Sequence, residues 1–172
     1  MKIKGILTLI AVLLIAAPTT TKAQNWFREA AGSEGGMFSS HELRYEAFGS
    51  WGTRDRKNFS SDRPGVGMGV DYFFTRHFGI AADTYLDRFD WPTHLDISGV
   101  ARWPIEQVAI APYLFGGFGR QWQHVGQWTG HIGLGLEWRA TNEMGVFFDA
   151  RQVGADKTRD FTLYRLGVRF GF

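Results

Sequence analysis

The chain of 172 residues is long enough for one domain and contains no cysteine, which excludes disulfides and thiolate metal sites. Its formal net charge is +2, but three of its 19 basic residues and none of its 17 acidic residues lie in residues 1–23, so the remainder carries 16 − 17 = −1. This balance excludes the basic surface that a nucleic-acid partner would require, and 22 glycines with 27 aromatic residues (7 Trp, 5 Tyr and 15 Phe) favour a chain built of strands.

Residues 1–23 have the features of a secretory signal peptide. Two lysines precede an apolar run at 6–17, and Thr21 and Ala23 are the small residues that a signal peptidase inspects. The run is shorter than the roughly 20 residues that a membrane-spanning helix needs. We therefore expect cleavage after Ala23. Residues 24–40 would then form a periplasmic lead-in, either a short amphipathic helix or, as we favour, a loose tail.

From His41 onward, apolar and polar residues alternate with period two, which places successive side chains on opposite faces of a strand. The pattern predicts eight strands at 41–51, 64–74, 78–87, 94–103, 107–118, 128–139, 144–152 and 161–172. The fifth is the least regular, because both of its faces are apolar or glycine and Pro112 lies within it. The predicted links alternate between short ones at 75–77, 104–106 and 140–143 and longer polar ones at 52–63, 88–93, 119–127 and 153–160.

This rhythm of strands and links predicts an all-β fold, an antiparallel up-and-down eight-stranded transmembrane β-barrel over residues 41–172. Alternation alone also fits a soluble barrel of the lipocalin type, with its apolar face turned inward around a ligand. Aromatic residues at both ends of the apolar face favour the membrane, because a bilayer interface selects amphipathic rings. The predicted interface aromatics are Trp51, Phe74, Phe78, Trp103, Trp128 and Trp138.

The polar face combines glycine with charged residues, a composition that suits a narrow interior in which arginine and carboxylate side chains pair. The predicted interior charges are Glu42, Arg44, Glu46, Asp71, Asp83, Asp96, Arg102, Glu137, Arg139, Asp149, Arg151, Arg165 and Arg169. They could form a gated pore whose ion pairs exchange partners. We favour a static network that fills the interior, because an eight-stranded barrel is only just wide enough for its own side chains.

The last strand ends in TLYRLGVRFGF, with apolar or aromatic residues at alternate positions. These residues, Tyr164, Leu166, Val168, Phe170 and Phe172, resemble the C-terminal insertion signal of outer-membrane barrels. Residues 41–172 as a whole resemble the small eight-stranded family typified by the OmpA transmembrane domain, OmpX and opacity-type proteins. The resemblance implies a monomer in a Gram-negative-type outer membrane, in contact with outer-membrane lipid and lipopolysaccharide. It also implies assembly by the outer-membrane barrel assembly machinery through the C-terminal strand.

One segment carries three residue types found in hydrolase sites, His94-x-Asp96-x-Ser98 on a single face of the fourth strand. Neighbours in this set are about 7 Å apart, too far for direct nucleophile–base contact, so partners would have to come from other strands. The His-and-Ser motif of outer-membrane lipid A deacylases is missing, because the comparable stretch at 149–152 reads DARQ. We therefore expect no catalytic residue. No histidine spacing suggests a metal site, and no cofactor is expected.

Cations in the predicted outer loops, at 54–57 and 156–160, could contact lipopolysaccharide phosphates through charge-assisted hydrogen bonds, but we favour ordinary solvated loops as their explanation. The sequence thus predicts a non-enzymatic outer-membrane component with a role in envelope integrity or surface interaction. Two alternatives stay open, an enzyme that modifies envelope lipid and a narrow channel for small solutes.

Overall fold

The computed structural model describes residues 36–53, 63–87, 92–122, 126–155 and 160–171. The strands, numbered in chain order, are β1 (Glu42–Thr53), β2 (Arg63–Phe73), β3 (Phe78–Asp87), β4 (Pro92–Arg102), β5 (Ile110–Gln121), β6 (Gln127–Arg139), β7 (Met144–Ala155) and β8 (Phe161–Gly171). Each strand pairs antiparallel with the next, and β8 pairs with β1 to close the barrel. The predicted eight-stranded up-and-down barrel is confirmed. The predicted signal peptide lies outside the described residues, as do residues 24–35 of the lead-in.

The predicted bounds of strand five, 107–118, are wrong. Glu106–Val108 form a single 3-10 turn that ends at Ala109 in the left-handed conformation (φ 56°), and β5 begins only at Ile110. Pro112 has no backbone N–H, but this removes no hydrogen bond between strands, because the pairing of β5 with β4 begins one residue later, at Tyr113. The Pro112 carbonyl still accepts a hydrogen bond from the Trp103 amide at 2.9 Å.

Several strands continue farther than the sequence pattern indicates. At one end of the barrel, the turn end, the links are 74–77, 103–109 and 140–143; at the other, the loop end, they are 54–62, 88–91, 122–126 and 156–160. The links at the two ends of the barrel therefore differ less in length than the sequence pattern predicts. The sequence pattern predicts loops at 119–127 and 153–160, yet the ends of β5 and β7 continue to pair with β6, Gln121 with Gln127 and Ala155 with Thr129.

The barrel turns its apolar side chains outward and its charged ones inward. On β6 buried and exposed residues alternate without exception, so that Leu134 is 63% exposed while Arg139 is 1% exposed. A soluble barrel of the lipocalin type requires the reverse arrangement, and that alternative is contradicted. In the described part of the chain, no helix is long and apolar enough to cross a bilayer.

The spacing of the aromatic residues matches the thickness of a membrane. Trp128 and Trp138 are ten residues apart on β6 and both face outward. Ten residues span about 34 Å along a strand, and a tilt of about 40° reduces this to about 26 Å of height. The apolar band of outer-membrane barrels is about 25 Å tall. Trp51 lies at the loop end with Trp128, whereas Phe74, Phe78 and Trp103 lie at the turn end with Trp138, and all are exposed.

The outward residues of β8 complete this surface at the seam where the barrel closes. Tyr164, Leu166 and Phe170 are exposed and Val168 is half-buried, while the residues between them face the interior. Register pairs such as Tyr164 with Trp51 join β8 to β1. Phe172, the last residue of the predicted insertion signal, lies outside the described residues.

Candidate functional site

The structure places all thirteen predicted interior charges inside the barrel, and none of them is more than 6% exposed. Each has an oppositely charged partner within 4 Å, and these contacts join all thirteen into one network. Seven are carboxylates and six are arginines, so the network is close to electrically balanced. Balance is required, because a buried charge without a partner costs several kcal/mol.

At the turn end, two glutamates are shared by three arginines. Arg139 contacts Glu42 at 2.9 Å and Glu137 at 2.7 Å. Arg102 reaches Glu42 at 3.0 Å, and Arg44 donates to Glu137. These contacts tie β1, β4 and β6 together across the barrel mouth.

Arg169 of β8 extends the network toward the middle of the barrel. Its three nitrogens contact three carboxylates, Glu137 at 2.9 Å, Glu46 at 3.1 Å and Asp71 at 3.2 Å. Glu46 in turn contacts Arg165 at 3.2 Å. The two β8 arginines thus share one carboxylate of β1, which joins the strands on either side of the closure seam.

Arg165 and Asp149 form a bidentate ion pair within the network. The Arg165 guanidinium donates two parallel hydrogen bonds of 2.8 Å to Asp149, a bidentate geometry that strengthens and orients the pair. The Tyr113 hydroxyl donates to the same carboxylate at 2.8 Å. Tyr113 belongs to β5, which supplies no charged member, so with this bond the network includes a residue from every strand.

Arg151 bridges Asp83 and Asp96, with 2.9 Å to each carboxylate. The two aspartates are register partners on β3 and β4, an arrangement in which like charges repel. Arg151 comes from β7, on the opposite side of the barrel from β3, so the Arg151–Asp83 pair spans the interior. Asp83 also lies 3.3 Å from Arg165.

Aromatic rings fill the space between the ion pairs, and the sequence interpretation missed them. Arginine guanidinium carbons lie over their faces, for example Arg102 at 3.6 Å from the Phe73 ring centre and Arg169 at 4.3 Å from the Phe147 ring centre. The buried interior aromatics of the strands are Phe48, Phe73, Tyr85, Tyr113, Phe115 and Phe147. Those on β1, β2, β3 and β7 have the same strand parity as the interior charges of their own strand, and that parity was the signal available in the sequence; Tyr113 and Phe115 lie on β5, which has no interior charge.

The described part of the lead-in closes the turn end, which corrects the prediction of a loose tail for residues 36–40. Phe38 is 1% exposed, and its ring lies 4.0 Å from the Arg139 guanidinium carbon and 5.3 Å from that of Arg102. The same arginines donate to the backbone carbonyls of Met37 and Ser39. The segment therefore inserts into the barrel mouth as a plug.

Two members of the His94-x-Asp96-x-Ser98 set meet a partner that the sequence interpretation did not identify. The Ser98 hydroxyl lies 2.8 Å from His131 Nε2, and His131 Nδ1 lies 3.8 Å from Asp96 Oδ1. Ser98 and His131 occupy one row of the sheet with Gly117 between them. Because Gly117 has no side chain, the imidazole can extend across β5 to the serine.

His94 does not join this group, because its ring stacks on Tyr85 with ring centres 4.3 Å apart. The serine, histidine and aspartate are all buried, and Asp96 is engaged by Arg151. The described residues contain no group of three metal-ligating side chains able to hold an ion. The predicted loop cations Arg54, Arg56 and Lys57, with Lys157 and Arg159, lie outside the described residues.

No protein-family model and no curated protein sequence matches the chain. Solved structures do match. The N-terminal β-barrel domain of Pseudomonas aeruginosa OprF aligns with a TM-score of 0.62 at 17% identity, over 77% of this chain and 98% of that one. Ail, the attachment invasion locus protein of Yersinia pestis, gives 0.60 at 11% identity over 77% and 99%. Neisserial surface protein A gives 0.55 at 12% identity over 76% and 96%.

At these identities the likeness concerns the fold. The chain is a small eight-stranded transmembrane β-barrel of the outer-membrane type, as the resemblance in its sequence indicated. An apolar band faces outward, and an interior of ion pairs and aromatic rings occupies the space that a larger barrel leaves open.

Proposed function

We propose that the protein is a monomeric, non-enzymatic component of the outer membrane, a closed barrel that supports the envelope and presents its loop end at the cell surface. The observation that carries this proposal is the single network of thirteen charges, with the Phe38 segment seated across the turn end. A barrel filled in this way serves as a stable scaffold for surface contacts. Its lipid-facing band and outward β8 residues suit contact with membrane lipid and with the barrel assembly machinery.

The proposal of a closed interior follows from contacts that cross the full width of the barrel. The pair of Arg151 and Asp83 joins opposite strands at 2.9 Å, and Arg165 lies 3.3 Å from the same aspartate. Farther toward the turn end, Arg169 lies 2.9 Å from Glu137. With side chains in contact at these successive levels, hydrated ions have no continuous path.

Conductance in planar lipid bilayers tests this closure. We expect no steady channel from the wild-type chain, and a raised ion leak from Arg151→Ser, which shortens the arm that crosses the interior. The matched control is Gln152→Ala, a change on the outward face of β7 that should leave the barrel closed. Stable conductance of the wild type would instead support the narrow-channel alternative.

Cell fractionation tests the location. The mature chain should be recovered with the outer membrane, and N-terminal sequencing of the mature protein should begin at Gln24. The loop end should face outward, because β1 begins and β8 ends at the turn end, on the side from which a secreted chain would be assembled. Recovery in the soluble periplasmic fraction would refute the proposal.

The enzyme alternative has one observation in its favour, the 2.8 Å contact between Ser98 and His131. Two others oppose it. Ser98 is 2% exposed, and the 3.8 Å between His131 and Asp96 exceeds a hydrogen bond. Labelling with a fluorophosphonate probe distinguishes the two functions. We expect no labelling of the folded chain, whereas labelling that Ser98→Ala abolishes would establish a hydrolase.

A further inference from the structure

Arg120 is an exception on the outer surface of the barrel. Among the described side chains of the eight strands, it is the only charged one that faces outward. No carboxylate of the described residues lies within 4 Å of it, in contrast to every arginine of the interior. An arginine on a lipid-facing surface is costly at the middle of a bilayer, and the cost falls to about 0–1 kcal/mol near its edges.

The position of Arg120 is at such an edge. It is the register partner of Trp128 on β6, which marks the loop-end border of the apolar band. Its guanidinium carbon lies 5.3 Å from the centre of the Trp128 ring, and Phe118 packs against the same ring at 6.4 Å. Trp122, two residues farther along, is 44% exposed. Arg120 is therefore oriented by an indole at the height where the headgroups of the lipids begin.

We propose that Arg120, with Trp122 and Trp128, forms a binding site for a phosphate group of lipid A in the outer leaflet. A planar guanidinium donates two parallel hydrogen bonds to a phosphate, and a neighbouring aromatic ring limits the directions from which the anion can approach. Each indole adds an N–H donor at the headgroup level. The acyl chains of the same lipid would lie along the exposed apolar pair two residues farther toward the turn end, Ile97 and Phe118.

This inference rests on the proposed function, because only a barrel whose loop end faces outward brings Arg120 to the lipopolysaccharide leaflet. Lipid A is the occupant favoured over an ordinary phospholipid, because its phosphates are borne on sugar rings. Flat sugar faces can pack against the exposed indoles of Trp122 and Trp128.

The test is a titration of the full chain, folded in zwitterionic detergent micelles, with three lipids: bisphosphorylated lipid A, dephosphorylated lipid A and phosphatidylglycerol. Tryptophan emission reports binding, and electrophoretic mobility confirms that each variant is folded. The variants are Arg120→Ala and Arg120→Lys, and Gln152→Ala is the outward-facing control.

We expect the wild type to bind bisphosphorylated lipid A about tenfold more tightly than either other lipid, a difference equal to about 1.4 kcal/mol. Arg120→Ala should lose this preference, Arg120→Lys should keep part of it because a single ammonium lacks the bidentate geometry, and Gln152→Ala should retain it. The wild-type preference should also fall as salt is raised. An unchanged preference in folded Arg120→Ala, or equal affinity for phosphatidylglycerol, would overturn the inference. Neither result would affect the proposed function, which is tested separately by outer-membrane fractionation, bilayer conductance and fluorophosphonate labelling of the wild-type chain.

Discussion

Arg151 lies between Asp83 and Asp96, which are register partners on neighbouring strands. Replacing Arg151 by methionine tests whether the interior ion pairs stabilise the barrel. The side chain reaches across from β7 and contacts Asp83 and Asp96 at 2.9 Å each. Methionine is unbranched and uncharged and occupies the space of the arginine's aliphatic stem, so Arg151→Met removes the guanidinium while preserving much of the packing. It leaves two buried aspartates opposite each other on β3 and β4, with only Arg165 near Asp83.

The expected loss of stability follows from the geometry. Directly opposed residues on antiparallel strands have Cβ atoms about 5 Å apart. Two unit charges at that separation repel by about 3 kcal/mol at an effective dielectric constant of about 20. This figure agrees with the roughly 3–5 kcal/mol that is lost when one partner of a buried ion pair is removed. We therefore expect Arg151→Met to lower the free energy of unfolding by about 3–5 kcal/mol.

Urea titration of the barrel in phospholipid vesicles measures this change, with tryptophan emission recorded from both the folded and the unfolded side to establish equilibrium. The second variant is the double substitution Arg151→Met with Asp96→Asn, which removes the repulsion that the first creates. It should regain about 2–3 kcal/mol. If Arg151→Met were as stable as the wild type, or if Asp96→Asn added to the loss instead of reversing it, the electrostatic explanation would be wrong.

Three further predictions concern packing and assembly. Gly133→Ala should lower the free energy of unfolding by about 1–3 kcal/mol, because a Cβ there would clash with the Phe115 ring and lie 2.6 Å from the Ala150 carbonyl oxygen, whereas Gly130→Ala, with open space around the same atom, should be neutral in the same urea titration. Phe38→Ala should destabilise by up to about 3–5 kcal/mol and expose residues 36–40 to limited proteolysis; resistance equal to that of the wild type would contradict the plug. Deletion of Phe172 should reduce recovery in the outer-membrane fraction, and normal recovery would argue against the insertion-signal interpretation.

The sequence interpretation succeeded where odd and even positions of a strand differ clearly in polarity, a property called parity here, because that alternation shows which face is buried. In β6, Trp128, Leu134 and Trp138 alternate with buried polar residues, and both faces were assigned correctly. Parity also identified all the interior charges. It failed at the start of β5, because a segment that is apolar on both faces has no parity signal, and the predicted strand from 107 includes residues 107–108 of the 3-10 turn at Glu106–Val108.

Parity gave no assignment for the interior aromatics of β5, Tyr113 and Phe115, because both faces of that strand are apolar or glycine over most of its length. On β1 it does carry the signal: Phe48 shares the parity of Glu46 and is buried, with the Arg165 guanidinium carbon 4.7 Å from its ring centre. The end of β5 at Arg120 and Gln121 is predicted as loop because its residues are polar, although polar residues at a barrel rim pair along a neighbouring strand as readily as they enter loops. The end of β7 at 153–155 likewise pairs with β6 beyond the predicted bound of 152.

The sequence by itself determined the class of the protein: the presence of eight strands, the face of each strand other than β5 that meets lipid, and the charges that share the interior. Those properties are local, because they depend on the period of side chains along one strand. The tertiary structure alone decided which charges meet, as with Arg151 and Asp83 from opposite sides of the barrel, or Ser98 and His131 across Gly117. Such contacts depend on strand register and closure, which are properties of the whole sheet and leave no trace in any single segment.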